Sequence, residues 1–147
     1  MTMVRRTRVI ALGIVRRPSD GALFVEEGHD PSDGHVFQRP LGGEVEFSEL
    51  SEHTVTREFM EEMGLVVRTT GLLGVVENLF QFDGKDGHEV VFLYSAEFED
   101  HSVYGADRIP RLDDVDATIL WRPPDAASPM LVPEGIERYL DSSGNHD

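Results

Sequence analysis

Short apolar segments recur along the chain between stretches rich in glycine, proline and aspartate, and this pattern predicts β-strands. Residues 9–15 are apolar almost throughout, which is typical of a strand buried on both faces. Pro40 predicts the end of the third strand, whereas Gly71 and Gly74 predict two short strands or one bent strand in the fourth segment. The predicted strands are residues 9–15, 22–25, 36–39, 66–80, 88–98 and 117–122.

One segment, residues 50–63, carries the period of an amphipathic helix. Its apolar stripe consists of Val55, Phe59 and Met63. Gly64 suits the left-handed residue that ends such a helix, and either Ser48 or Ser51 could cap its start. A second, shorter helix is predicted over residues 133–140, and residues 141–147 are predicted to form a frayed tail.

The order of these elements indicates the fold class. Three strands, a helix, three strands and a final helix predict an α/β (α+β) fold with a central mixed β-sheet and helices packed on it. Residues 83–87 predict a hairpin loop before the fifth strand. The acidic stretch 99–116 predicts a long loop, and long loops in compact domains are often functional.

Length and charge narrow the possible functions. The 147 residues correspond to one domain with one sizeable core. A net charge of −15 argues against nucleic-acid binding, which is driven by cations, and against docking on anionic lipid. No apolar run could span a membrane, and the arginines around residues 9–15 favour a strand over a signal peptide. The absence of cysteine excludes disulfides and thiolate chemistry and leads us to expect a cytoplasmic protein.

Carboxylates gather on the predicted helix and in the loop before it. Glu58, Glu61 and Glu62 share one helix face, because residues three and four apart are neighbours. Glu44, Glu46 and Glu49 precede the helix. Glutamates in isolation more often form a solvated acidic face, but a hard cation such as Mg²⁺ would offset the repulsion in so dense a cluster.

The segment from Gly43 to Leu65 resembles the signature of the Nudix hydrolases, G-x5-E-x7-R-E-U-x-E-E-x-G-U, where U is a bulky apolar residue. It matches at every fixed position, with Phe59 and Leu65 as the two U residues. The resemblance implies a Nudix-like α/β/α sandwich, and we expect a single domain over residues 1–140. It also implies hydrolysis of a nucleoside diphosphate linked to another moiety, at a phosphoanhydride bond, with Mg²⁺ or Mn²⁺.

The resemblance also implies roles for individual residues. Glu58 and Glu62 would be the main metal ligands, Glu61 would bind metal directly or through water, and the carbonyl of Gly42 would complete the shell. Glu49 would support metal or water, and Arg57 would orient a glutamate through a charge-assisted pair. Many members carry glycine just before the glutamate that matches Glu49 and serine or threonine just after it, whereas this chain has Ser48 and Leu50. The departure affects the expected helix cap and not the metal site.

Outside the signature, several residues are weaker candidates. Arg39 could grip a phosphate or form a surface ion pair. Glu89 could join the metal cluster, although a solvated edge-strand glutamate is the expectation, and we expect His88 to be packed. Asp113, Asp114 and Asp116 are candidates for a late catalytic carboxylate. The candidates for stacking a nucleobase are Phe37, Phe80, Phe82 and Tyr104, whereas Trp121 is expected in the core.

Two other functions compete with a metal-dependent pyrophosphohydrolase. A non-catalytic Nudix-like module would bind a nucleotide and regulate a partner, but such modules usually lose signature glutamates. A structural metal-binding protein would need a motif such as an EF-hand loop, which this chain lacks. The expected partner is a small nucleotide. The sequence leaves open the substrate, the phosphorus attacked, the number of metals, the general base, and whether the chain is a monomer or a homodimer.

Overall fold

A computed structural model describes residues 5–143, with side chains described as far as residue 140. Seven strands and two α-helices make up most of it, with a short 3-10 helix at His101–Gly105. The helices are α1 (Ser51–Met63) and α2 (Glu137–Ser143). The strands are β1 (Arg8–Ile14), β2 (Leu23–His29), β3 (Val36–Glu44), β4 (Val67–Phe82), β5 (Lys85–Phe98), β6 (Thr118–Arg122) and β7 (Met130–Leu131).

The strands form a single mixed sheet in the order β4-β5-β1-β3-β2-β6, with β7 beside β3. β1 runs parallel to β5 and antiparallel to β3, so the central strand has one neighbour of each kind. The predicted fold class, a central mixed sheet with helices packed on it, is therefore confirmed. Within residues 5–143, no helix is long and apolar enough to cross a membrane.

The helices cover opposite faces of the sheet. α1 buries Val55, Phe59 and Met63 against a cluster that includes Phe24 and Phe98, as its apolar stripe predicts. On the other face, residues of β1 and β5 pack with Ile136 and Leu140 near α2. β1 contributes to both clusters, which explains why its sequence is apolar almost throughout.

The expected end of the third strand at Pro40 is wrong, because β3 continues through it to Glu44. Pro40 is the last residue of β3 that pairs with β2, and Leu41 is the first that pairs with β1. A proline has no backbone N–H to donate, so it is tolerated where a strand exchanges one partner for another. This exchange brings Gly42 and Gly43 beside β1.

Other boundaries differ in smaller ways. Residues 67–82 form one strand with irregularities at Thr69/Gly71 and Leu72/Gly74, which resolves the two alternatives for this segment. The hairpin loop shrinks to Asp83 and Gly84, both with positive φ, as a tight two-residue turn requires. α2 lies over Glu137–Ser143 rather than residues 133–140, so residues 141–143 of the predicted tail are helical. Residues 144–147 of that tail lie outside the described residues.

Neither predicted serine caps α1. Leu50 occupies the N-cap position and makes no side-chain capping bond. Ser48 adopts a φ of 68°, a conformation that favours glycine, and the Ser51 hydroxyl contacts the Tyr94 hydroxyl at 2.6 Å. At the other end, Gly64 is left-handed and its N–H donates to the Met60 carbonyl, as predicted for the end of this helix.

Candidate active site

Arg57 clamps the acidic residues at the start and middle of α1. Its Nε and Nη2 donate to the two carboxylate oxygens of Glu49 at 2.8 and 3.0 Å. Its Nη1 donates to Glu58 Oε1 at 2.9 Å and to Glu61 Oε2 at 3.2 Å. The two bonds that Glu49 accepts from Arg57, with one from the Thr54 hydroxyl, lower the pKa of Glu49 to about 2 and keep it ionised. Arg57 thus holds these glutamates by charge-assisted bonds, and its role in orienting them for a metal stays a prediction.

Two glycines of β3 allow close contacts with the neighbouring strand and helix. A Cβ on Gly43 would lie 2.6 Å from Glu58 Oε1, so only glycine lets the Glu58 carboxylate rest against the strand. A Cβ on Gly42 would overlap the carbonyl oxygen of Ala11 in β1. Gly43 therefore permits the close approach of β3 to α1, and Gly42 permits the close approach of β3 to β1.

The three helix glutamates differ in exposure. Glu61 is more than half exposed, Glu58 is largely buried, and the Glu62 side chain is only 6% exposed. Burial raises the pKa of Glu62 to about 8, because Arg111 offsets only part of the cost of an ionised carboxylate there, and Glu58 and Glu26 repel it. Among the described residues, Glu62 Oε1 is buried without a hydrogen-bond partner.

A second arginine, not singled out from the sequence, reaches the same carboxylate. Arg111 Nη2 donates to Glu62 Oε2 at 3.2 Å, and Nη1 donates to Glu26 Oε1 of β2 at 2.8 Å. The next residue, Leu112, donates its backbone N–H to the Glu62 carbonyl at 2.7 Å. The loop of residues 106–117 is thereby attached to the end of α1. An arginine in an aperiodic acidic loop gives no local signal of such a contact.

A cleft of about 580 Å³ opens beside Arg111 on the sheet face opposite the apolar stripe of α1. Charged and aromatic residues both line it. The charged residues are Arg8, Glu26, Glu27, Asp30, Arg39, Glu89, Arg111 and Glu134, and the phenylalanines are Phe37, Phe80 and Phe82. Its arginines can contact an anionic group of a ligand and its phenylalanines can contact a planar apolar group, while acidic side chains outnumber the arginines in the lining.

The structure places the weaker candidates in different settings. Arg39, Glu89 and Phe80 all line the cleft. The expectation of a solvated edge glutamate at Glu89 is wrong, because β5 lies between β4 and β1 and Glu89 is buried, with Arg8 at 3.4 Å. His88 is exposed rather than packed and contacts the Thr7 hydroxyl at 3.1 Å.

The remaining candidates fall into two groups. Asp113, Asp114 and Asp116 are exposed, and the Asp113 carboxylate pairs with Arg111. Tyr104 lies against Phe98 and Trp121 rather than in the cleft, so it is a core residue and cannot stack a ligand there. Trp121 is buried, as expected.

The possible metal-ligand atoms around Glu62 suit a hard divalent cation. They are carboxylate oxygens, the type of ligand that Mg²⁺ and Mn²⁺ prefer. The partnerless, buried Glu62 Oε1 is the strongest structural sign, because a buried carboxylate oxygen normally has a bonding partner. A separate acidic group, Asp30, Asp33 and His35, has ligand atoms within 4.8 Å of one another, but the Asp33 and His35 side chains are exposed and pair together.

The comparisons with known proteins agree on the fold. A family model described as NUDIX domain matches residues 6–141. A MutT NUDIX hydrolase from Burkholderia pseudomallei has 24% sequence identity and a TM-score of 0.66 over 93% of this chain and 98% of its own. A MutT protein from Methanosarcina mazei Go1 has 13% identity and a TM-score of 0.68, over 99% and 100% of the two chains.

Another protein of similar structure is named for its substrate. An ADP-ribose pyrophosphatase from Streptococcus suis has 12% identity and a TM-score of 0.61, covering 97% of this chain and 96% of its own. At these identities the likeness to solved structures concerns the fold. No curated protein matches the sequence.

Proposed function

Since the chain belongs to the NUDIX domain family, we propose that it is a Mg²⁺- or Mn²⁺-dependent pyrophosphohydrolase that cleaves a phosphoanhydride bond in a nucleoside diphosphate linked to another moiety. The observation that carries the proposal is Glu62: a buried carboxylate with one oxygen that has no partner among the described residues, on a helix face shared with Glu58. Glu62 is bonded to Arg111, which lines the cleft. Such a carboxylate is costly to keep unless it binds a cation.

Glu58 and Glu62 are the proposed principal metal ligands, with Glu61 and the Gly42 carbonyl completing the shell. The bound ion would neutralise diphosphate oxygens and lower the pKa of a water molecule in the site. Arg57 fixes Glu58 and Glu49 by charge-assisted bonds, so both carboxylates are oriented before substrate arrives. Glu49, held ionised, is then able to accept a proton or a hydrogen bond from water.

The cleft supplies the proposed substrate contacts. Arg39 would bind the diphosphate, and Phe80, with Phe37 and Phe82, would contact the nucleobase. Buried Glu89, close to Arg8, is available as a further carboxylate on the cleft wall. The candidate substrates are a nucleoside triphosphate, a sugar nucleotide such as ADP-ribose, and a dinucleoside polyphosphate.

The broader setting is proposed with the activity. We propose one catalytic domain over residues 1–140 that acts on a small nucleotide in the cytoplasm. The net charge of −15 supports the absence of nucleic-acid and membrane partners, because both carry negative charge.

A nucleotide panel with product masses tests the activity and identifies the bond cut. Wild-type protein with Mg²⁺ is expected to release a nucleoside monophosphate from at least one nucleoside diphosphate derivative. Glu58→Gln and Glu62→Gln are each expected to lower kcat by at least about 100-fold while leaving the circular dichroism spectrum unchanged. Binding of nucleotide without turnover by the wild type would instead favour a regulatory module, and near-native turnover in both variants would reject the ligand assignment.

A further inference from the structure

Arg111 carries a positive charge at the buried end of the acidic cluster. Its guanidinium contacts Glu62 Oε2 at 3.2 Å and Glu26 Oε1 at 2.8 Å, and it also pairs with Asp113. Its side chain is only 19% exposed. Arg111 thus bridges the carboxylates of Glu62 in α1 and Glu26 in β2. A divalent metal bound there would neutralise the same negative charges.

The contact with Arg111 engages only one of the two oxygens of the Glu62 carboxylate. Oε2 accepts from Arg111, whereas Oε1 is buried and has no partner among the described residues. Arg111 therefore offsets part of the charge without satisfying the second oxygen. A ligand that engaged both oxygens would bind Glu62 better than the guanidinium does.

The two arginines of the site differ in how they are attached. Arg57 is part of α1 and also donates to the Glu44 carbonyl, so its position is fixed by the helix itself. Arg111 belongs to the loop of residues 106–117, which reaches the end of α1 through Leu112 and the Arg111 side chain. A local movement of this loop would carry Arg111 away from Glu62 while α1 stays in place, whereas Arg57 is part of α1 itself.

We propose that Arg111 is a resident counter-ion of the metal-free site, that an incoming divalent cation displaces it from Glu62, and that this release loosens the Leu112 contact with α1. The inference rests on the proposed metal-dependent function. Beyond that function, the inference states that Arg111 and the metal compete for the carboxylate of Glu62. Since Arg111 lines the cleft, its release also leaves a cation facing the space proposed for the phosphates.

Calorimetric titration with Mg²⁺ or Mn²⁺ alone, without nucleotide, measures this competition. Arg111→Ala is expected to bind the metal about tenfold more tightly than the wild type, because the metal no longer has to break a charge-assisted pair. Arg111→Lys keeps a cation and is expected to stay within about threefold of the wild type. Arg108→Ala, at an exposed arginine of the same loop, is the matched control and is expected to leave Kd unchanged.

A second measurement uses only the wild-type protein and so does not depend on how the variants fold. Saturating Mg²⁺ is expected to speed hydrogen exchange of the Leu112 amide, read by NMR, by about tenfold, because its bond to Glu62 weakens when Arg111 leaves. Unchanged or slower exchange would overturn the proposal, as would equal or weaker metal binding by Arg111→Ala. Equal tightening by Arg111→Lys would also overturn it, because the charge would then not be the cause.

These outcomes separate this inference from the proposed function. A wild-type protein that binds no Mg²⁺ or Mn²⁺ and turns over no nucleotide would overturn both. A wild-type protein that binds metal and turns over nucleotide, with Kd unaffected by Arg111→Ala, would overturn only the role of Arg111.

Discussion

Replacing Glu62 with glutamine is expected to stabilise the metal-free protein at pH 7 while removing its response to Mg²⁺. The pKa of Glu62 in the folded state is raised to about 8 from an ordinary value of 4.5. Between these two values the folded state holds more of this proton than the unfolded state does, and in the fraction of molecules in which Glu62 is ionised it pairs with Arg111. Stability therefore falls as the pH rises through this window, by at most ~1.4 kcal/mol per unit.

The magnitude follows from the structure. At pH 7 the linkage sets a ceiling of ~3 kcal/mol on the cost of this group. The pKa of about 8 already includes the attraction of Arg111, and the glutamine amide is itself incompletely hydrogen-bonded at this buried position, so we expect Glu62→Gln to gain ~1–2 kcal/mol, or a Tm increase of about 3–8 °C. The arginine keeps Glu26 and Asp113 as partners in the variant, so the change leaves no buried cation unpaired.

Thermal unfolding followed by circular dichroism, in EDTA and in millimolar Mg²⁺, measures both effects. Glu61→Gln is the matched control, because Glu61 belongs to the same helix face but its side chain is 56% exposed, and its Tm in EDTA should change little. Wild type should gain Tm on adding Mg²⁺, since binding to the native state stabilises it, whereas Glu62→Gln should not. A lower Tm for Glu62→Gln than for Glu61→Gln in EDTA at pH 7 would refute the reasoning about burial.

Further changes test other parts of the site and fold. Arg57→Lys should lower kcat for nucleotide hydrolysis by ~10–100-fold, because an ammonium cannot hold Glu49 and Glu58 in the same fork. Gly43→Ala should destabilise the protein by ~1–3 kcal/mol in urea unfolding, because its Cβ meets Glu58, whereas Gly71→Ala has open space around it and should not. Ser48→Gly should raise stability by ~0.5 kcal/mol in the same assay, since φ is 68° there and the gain exceeds the added freedom of the unfolded chain. EDTA should leave the far-ultraviolet circular dichroism spectrum of the wild type unchanged.

The sequence predicts α1 well because its information is local. The stripe of Val55, Phe59 and Met63 fixes both the helical period and the buried face, and Gly64 marks the end of the helix. The same spacing places the three glutamates on a shared face, so the acidic cluster also follows from local pattern. These features need no knowledge of the rest of the chain.

Features that depend on strand order could not be predicted in this way. Glu89 was expected at an edge, but β5 lies inside the sheet, and only the pairing of β5 with both β4 and β1 determines that. A proline normally indicates the end of a strand. Pro40 is tolerated inside β3 because β3 changes its partner there, from Val25 of β2 to Gly13 of β1. Arg111 likewise gains its importance from a contact with Glu62, a residue far away in sequence.

Two arginines near α1 compensate the charge of the acidic cluster, but not equally at each glutamate. Arg57 compensates Glu49 and Glu58, and Arg111 compensates Glu62, so the folded chain does not depend on an external cation to hold these carboxylates together. The compensation is incomplete at Glu62 alone, where burial and the partnerless Oε1 remain. A bound metal would therefore gain most at the carboxylate that the protein itself compensates least, which Arg111 connects to the cleft, rather than at the exposed Glu61. The free energy that the fold does not recover at Glu62 would then contribute to binding a cation.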